Sequence, residues 1–221
     1  MWTFFDKSIT MKSRLQSLRT KKHKYSWDVL SLPQSVFKVV ILGAGGVGKT
    51  SLVMRFVRDY FPQKYIPTVE DVYEKTVTLN KDFGAFFEIM DTAGSYQFPA
   101  MKRLTMEHGN AFVLVYSLDD ESSLQEALRI QKEIIEIKGT TNVPILLVGN
   151  KTDLVNQEVL DKTRAQVAEL VEGQNIMASE TSAKFGVNVS GVFYALLGQI
   201  AVVNKVDKIL KRDCLTQPMR L

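Results

Sequence analysis

The chain is short of the residues that build disulfides and metal centres. Cysteine occurs once in 221 residues, as Cys214, which excludes an intramolecular disulfide and a cysteine-based metal site. That scarcity fits a reducing, intracellular compartment. Histidine occurs twice, as His23 and His108, and neither has a partner at ligand spacing, so neither is assigned to catalysis. No apolar run is long enough to span a bilayer. The start Met1-Trp2-Thr3-Phe4-Phe5 is too short for the core of a secretory signal, and no small-residue cleavage site follows. Trp2 stands where N-myristoylation needs glycine. Internal repeats and low-complexity stretches are missing as well.

What is present suits one α/β domain with extensions. Hydrophobic residues make up 45% of the chain, the ordinary share for a protein with a proper core. The net charge of +4 is unevenly spread. Residues before Val36 carry +5 and residues after Gly198 carry +3, which leaves the body at −4. Basic tails on an acidic body argue against a nucleic-acid-binding core. Residues 1–34 show no persistent helical period and end at Leu32-Pro33-Gln34, as expected of a disordered basic arm. Residues 205–221 read as a basic tail.

Between the tails, strand and helix patterns alternate. Strands are expected over 36–42, 71–79, 85–90, 111–117, 143–149 and 175–180, and helices over 49–60, 97–107, 120–137, 158–172 and 188–204. The second and third strands are joined only by Asn80-Lys81-Asp82-Phe83-Gly84, which suits an antiparallel hairpin. The others are separated by helices, which implies parallel crossovers. The expected fold is α/β, a mostly parallel six-stranded sheet with one antiparallel edge strand and helices on both faces.

Four motifs sit at the ends of these strands. Gly43-Ala44-Gly45-Gly46-Val47-Gly48-Lys49-Thr50 fits G-x-x-x-x-G-K-[ST], preceded by an apolar strand and followed by an amphipathic helix that opens Lys49-Thr50-Ser51. Glycines let successive N–H groups point into one concavity, and the helix N-terminus adds partial positive charge. Lys49 would reach the β- and γ-phosphates and Thr50 would bind Mg²⁺. The alternative is an ordinary glycine-rich turn. Asp91-Thr92-Ala93-Gly94 closes the third strand, where a carboxylate is placed to hold Mg²⁺ through a water; a helix cap is the other reading. Asn150-Lys151-Thr152-Asp153 follows the fifth strand. There Asp153 can accept from guanine N1 and the exocyclic amine, which adenine cannot offer, while the Lys151 stem packs on the base. A polar strand-end turn is the alternative. Thr181-Ser182-Ala183-Lys184 follows the last strand, and the Ala183 N–H could meet guanine O6.

In this order, at these strand ends, the four elements resemble the Ras superfamily of small GTPases and, within it, the Ras family, over roughly residues 36–204. The resemblance implies a P-loop NTPase (small G-protein) fold over 35–204, with GTP and GDP as ligands and Mg²⁺ as cofactor. Tyr65-Ile66-Pro67-Thr68-Val69-Glu70-Asp71-Val72-Tyr73 looks like the family's switch I and effector segment. By resemblance Thr68 is a second Mg²⁺ hydroxyl that reports the γ-phosphate, Tyr65 folds over the phosphates, and Phe61 lies edge-on to the guanine. Glu70, Asp71 and Tyr73 would meet effectors through a strand edge. Ser182, Ala183 and Lys184 complete the base site, and exchange factors and GTPase-activating proteins are expected partners. A loop held by one phosphate and one metal bond is a two-state element that hydrolysis releases.

Two departures matter. After Asp-Thr-Ala-Gly the family usually has Gln, which orients the attacking water, and this chain has Ser95. Ser95 is too short for both the water and the γ-phosphate, and Gln97 is a doubtful substitute. The resemblance places Lys49, Thr68, Gly94 and Ser95 around the reacting phosphate, and slow hydrolysis follows. The run Asp91 to Met101 is similar to the Di-Ras branch, which also carries Ser here. The other reading is a GTP-loaded, essentially non-hydrolysing protein that binds effectors through residues 65–73. The second departure is the C-terminus, where the final four residues Pro218-Met219-Arg220-Leu221 are not a prenylation box. Cys214 then reads as a free thiol or a palmitoylation site. The expected location is cytoplasmic, with weak electrostatic contact to the inner face of the plasma membrane. Arg55 and Arg58 are expected to face solvent on their helix.

Overall fold

The computed structural model describes residues 35–64, 66–78, 84–94, 99–174 and 176–203. Tyr65, Ser95, Gln97, Cys214, the arm over 1–34 and the tail over 205–221 lie outside the described residues. In chain order the elements are β1 (Ser35–Leu42), α1 (Lys49–Arg58), β2 (Glu70–Thr78), β3 (Gly84–Thr92), α2 (Pro99–His108), β4 (Ala111–Ser117), α3 (Glu121–Lys138), β5 (Ile145–Asn150), α4 (Gln157–Val171), β6 (Ile176–Glu180) and α5 (Val189–Val203). A single 3-10 turn, Thr152–Leu154, follows β5.

The apolar runs of β1, β4 and β5 make sense because both faces of these strands are covered. Successive side chains point to opposite faces. Val39, Ile41, Val113, Val115, Leu146 and Val148 enter one core, while Val40, Leu42, Phe112, Leu114, Ile145 and Leu147 enter the other. Helices α1 and α5 cover the first face, where Phe56 stacks on Phe193 with ring centroids 3.7 Å apart. Helices α2, α3 and α4 cover the second through Met106, Leu124, Ile130, Ile134 and Val167.

The sheet order is β2-β3-β1-β4-β5-β6. The β2–β3 pair is antiparallel and every other pair is parallel, as the short hairpin connection predicts. Boundaries shift where a local conformation intervenes. Helix α1 stops at Arg58 rather than residue 60, because Asp59 turns left-handed with φ 51° and its N–H returns to Arg55 O. Strand β5 begins at Ile145 rather than 143, since Pro144 has no N–H for a ladder. Its carbonyl still accepts from Phe112 N at 2.9 Å.

Parallel pairing puts the C-terminal ends of β1, β3, β4, β5 and β6 on one rim. Chain connections leave β1 toward β3 on one side and reach β4 on the other, and ligands of open α/β sheets bind in the crevice at such a point. No helix among the described residues is long and apolar enough to cross a membrane.

Candidate functional site

The glycine loop joins β1 to α1 across the middle of that rim. Gly43 has φ 145°, and a Cβ on it would overlap the carbonyl of Val115. Only glycine lets β1 leave the sheet here with β4 so close. Helix α1 opens with no side-chain cap and no acid in its first turn. Its leading N–H groups are therefore left for a ligand, and an anion is the ligand they favour. Lys49 is only 6% exposed, and its Nζ donates to Gly43 O (3.0 Å) and Ala44 O (2.8 Å). Burial pushes the ammonium down to about 8, with the nearby Asp91 charge opposing the shift.

Beside the loop, two hydroxyls and a carboxylate converge. Thr50 Oγ1 lies 2.7 Å from Thr68 Oγ1, across the segment that leads into β2. Asp91 closes β3 opposite Ile41 of β1 and Asp71 of β2. It is fully buried, and neither carboxylate oxygen has a hydrogen-bond partner. Burial raises its carboxyl to about 6; Thr50 and Lys49 temper the rise, and Asp71 adds to it. Thr50 is near enough to temper that charge, yet it falls outside hydrogen-bond geometry. A buried, unpartnered carboxylate beside two hydroxyls suits a hard cation held by few protein ligands and by phosphate oxygens, which is the chemistry of Mg²⁺. Thr92, the next residue, donates its hydroxyl to Ile41 O at 2.7 Å and fixes the end of β3 to the end of β1.

The other half of the site hangs on Asn150. Its Nδ2 donates to Val47 O at 2.9 Å, and its Oδ1 accepts from Thr181 Oγ1 and Ala183 N, both at 3.1 Å. Asn150 thus brackets the glycine loop to the β6–α5 loop. Lys151 takes a left-handed φ of 68°, and its Nζ stands 3.5 Å from Asp119. Asp153 accepts from Ser182 Oγ at 2.6 Å, so Ser182 orients the carboxylate. The Ala183 N–H, expected to point at guanine O6, is engaged with Asn150 in this structure.

These groups enclose a cleft of about 470 Å³. Of the residues singled out from sequence, Gly46, Gly48, Lys49, Thr50, Ser51, Phe61, Thr68, Gly94, Asn150, Lys151, Asp153, Ala183 and Lys184 line it. Gly43, Ala44, Gly45, Val47, Asp91 and Ser182 do not; Asp91 and Ser182 act from behind the wall. Gly94 is pressed against the loop, and a Cβ on it would stand 2.6 Å from Gly45 N. Met54, Pro62, Gln63, Lys64 and Leu154 also line the cleft and were not read from sequence, and Ile66 and Thr92 line it from motifs in which they had no assigned role. Met54 follows Thr50 by one helical turn, a spacing that could have found it. The expectation that Arg55 faces solvent is overturned. Its side chain is 19% exposed and its guanidinium donates to Ala183 O and Lys184 O, because the β6–α5 loop lies over that face of α1. Arg58 is exposed as expected, with its guanidinium over the Tyr73 ring.

Comparison with known proteins agrees with this geometry. The Ras family model matches residues 38–202. Human GTP-binding protein Di-Ras1 is 45% identical over 162 residues, covering 73% of this chain and 80% of that protein, and the mouse protein matches equally. GTP-binding protein Di-Ras2 of Pongo abelii is 44% identical over the same span. With a glycine loop, a buried strand-end carboxylate and two polar loops on the rim of a six-stranded sheet, the chain belongs to the Ras family of small GTPases, close to its Di-Ras branch.

Proposed function

We propose that this chain is a guanine-nucleotide-binding switch in signal transduction that holds GTP or GDP with Mg²⁺ and hydrolyses GTP slowly. One observation supports the binding half above all: a single cleft joins an uncapped helix N-terminus and a buried lysine to the Asn150, Lys151, Asp153 and Ala183 cluster. In this reading residues Gly43 to Ser51 cradle the phosphates and Tyr65 covers them. Thr50, Thr68 and Asp91 would hold Mg²⁺, which neutralises charge on the phosphate oxygens. Asp153, held by Ser182, accepts from guanine N1 and its amine; adenine would leave that carboxylate without those donors. Phe61, Lys151 and Lys184 flank the base. Residues 35–204 form the nucleotide-binding domain, between a basic arm and a basic tail.

The catalytic half rests on sequence. No side chain is assigned as a covalent nucleophile or general base. A Cβ on Gly45 would meet nothing within 4 Å, so the glycine leaves room beside the γ-phosphate in this reading. Ser95 stands where Gln would orient water, and loss of that positioning costs several kcal/mol of barrier, roughly. Effectors would dock along residues 65–73, where Ile66 and Val69 are 76% and 88% exposed beside Glu70 and Asp71. Exchange factors and GTPase-activating proteins complete the cycle. The chain would act in the cytoplasm, with the tails making weak contact with anionic membrane.

Calorimetric titration with GDP and ADP, followed by single-turnover hydrolysis of bound GTP, tests both halves. Binding confined to GDP supports the guanine site; equal binding of both nucleotides refutes it. Ser95→Gln should hasten hydrolysis by an order of magnitude or more, roughly. An unchanged rate would remove the role given to position 95. GTP recovered intact with the purified protein, and no turnover, would favour the non-hydrolysing alternative.

A further inference from the structure

We propose that Arg55 is a positioning residue that fastens the base end of the cleft to the phosphate end and so sets how long a nucleotide stays bound. The proposal rests on the nucleotide-switch reading above. All three guanidinium nitrogens of Arg55 are engaged. Nε donates to Ala183 O at 3.0 Å and Nη2 to Lys184 O at 2.8 Å. Nη1 donates to the Asp59 carbonyl at 3.0 Å and to its carboxylate at 3.1 Å. A planar fork can meet two successive carbonyls and a third group together; a lysine ammonium at the end of a flexible stem cannot fix all three in one plane.

The contacts close a circuit. Ala183 is pinned at both ends, its N–H by Asn150 Oδ1 and its carbonyl by Arg55. Asn150 reaches on to Val47 O in the glycine loop. Val47 leads through Gly48 into α1, and α1 carries Arg55. Phosphate loop, helix, arginine, base loop and asparagine therefore form one ring of covalent and hydrogen-bonded links. Cutting it at Arg55 removes the link to α1 and leaves the base loop held by Asn150, by the Ser182–Asp153 bond and by the backbone bonds of Thr181. The Ala183–Lys184 segment then departs more often, and the base with it.

A competing account makes Arg55 a cap for the C-terminal end of α1 through Asp59. Nucleotide release separates the two. The full chain is loaded with ribose-labelled fluorescent GDP and chased with unlabelled GDP, in Mg²⁺ and in EDTA. Arg55→Ala should release the label about tenfold faster or more, by the same factor in both conditions, because the ring is cut away from the metal. Arg55→Lys, which keeps the charge and protects the fold, should fall between Arg55→Ala and wild type. Asp59→Gly keeps the left-handed helix end and removes the carboxylate, and it should release like wild type. Three results overturn the proposal: Arg55→Lys and Arg55→Ala releasing like wild type, Asp59→Gly matching Arg55→Ala, or an acceleration that vanishes in EDTA. A wild-type chain that retains no labelled GDP overturns this proposal and the switch reading together; retention with no Arg55 effect overturns this one alone.

Discussion

Asp91 carries the clearest energetic signature of any single residue. Its folded carboxyl is raised to about 6 from 3.8, chiefly by burial. Between those values the folded chain binds more protons than the unfolded one. In the nucleotide- and metal-free protein, the contribution of Asp91 to stability should therefore fall as pH rises from about 4 to about 6, and stay level above. The full penalty is about 3 kcal/mol. Asp91→Asn should remove it, so the variant gains on wild type across that window in urea unfolding, while its Mg²⁺-dependent hold on GDP weakens. A variant less stable than wild type at neutral pH would contradict this account. Sequence could place an acid at the end of β3, since a carboxylate after Phe86-Phe87-Glu88-Ile89-Met90 interrupts an apolar run. It could not show that both oxygens go unpartnered. Arg55 was illegible for a related reason. On its helix it reads as solvent-facing, and its partners lie 128 and 129 residues away.

At the level of elements, alternation carried most of the information. The runs of β1, β4 and β5 announce two covered faces, and the short link between β2 and β3 announces their antiparallel pairing. Helix α3 was equally plain, with Asp120 accepting from Ser122 N at its start and Gly139 left-handed at its end. The ends of other elements were less so. A left-handed Asp59 and a left-handed Lys151 carry no glycine signal, so the stop of α1 and the 3-10 turn after β5 were missed. Periodicity also leaves unsaid which helix meets which. Phe56 of α1 stacks on Phe193 of α5, and the Lys75 ammonium sits 4.4 Å from the Phe56 ring centroid, with its Nζ donating to Phe56 O. Phe193→Ala should cost about 3–5 kcal/mol in urea unfolding, a buried aromatic lost with its cavity left behind. Phe185 is 67% exposed, and Phe185→Ala should change stability by less than about 0.5 kcal/mol. Similar losses at both positions would contradict the packing described.

For the molecule as a whole, charge is separated along the chain, with a body at −4 between tails at +5 and +3. Each Lys or Arg near an anionic surface contributes about 1 kcal/mol, screened by salt. The full chain should bind phosphatidylserine vesicles weakly in sedimentation assays and lose that binding as salt is raised. Equal partitioning onto neutral vesicles would rule out an electrostatic origin.

Strand β2 has a looser hold on the molecule than its neighbours. Among the described residues it pairs with β3 alone, and only Tyr73 and Val77 of its nine residues are buried. Strand β4 is paired on both sides and buried at every position. Peeling β2 away would leave the ladders of the other five strands unbroken, so its amides should take up deuterium well before those of β4. Occupancy of the neighbouring threonine hydroxyls by a bound metal and phosphate should slow that uptake, giving a solvent-exchange readout of ligand state at a strand none of whose residues lines the cleft.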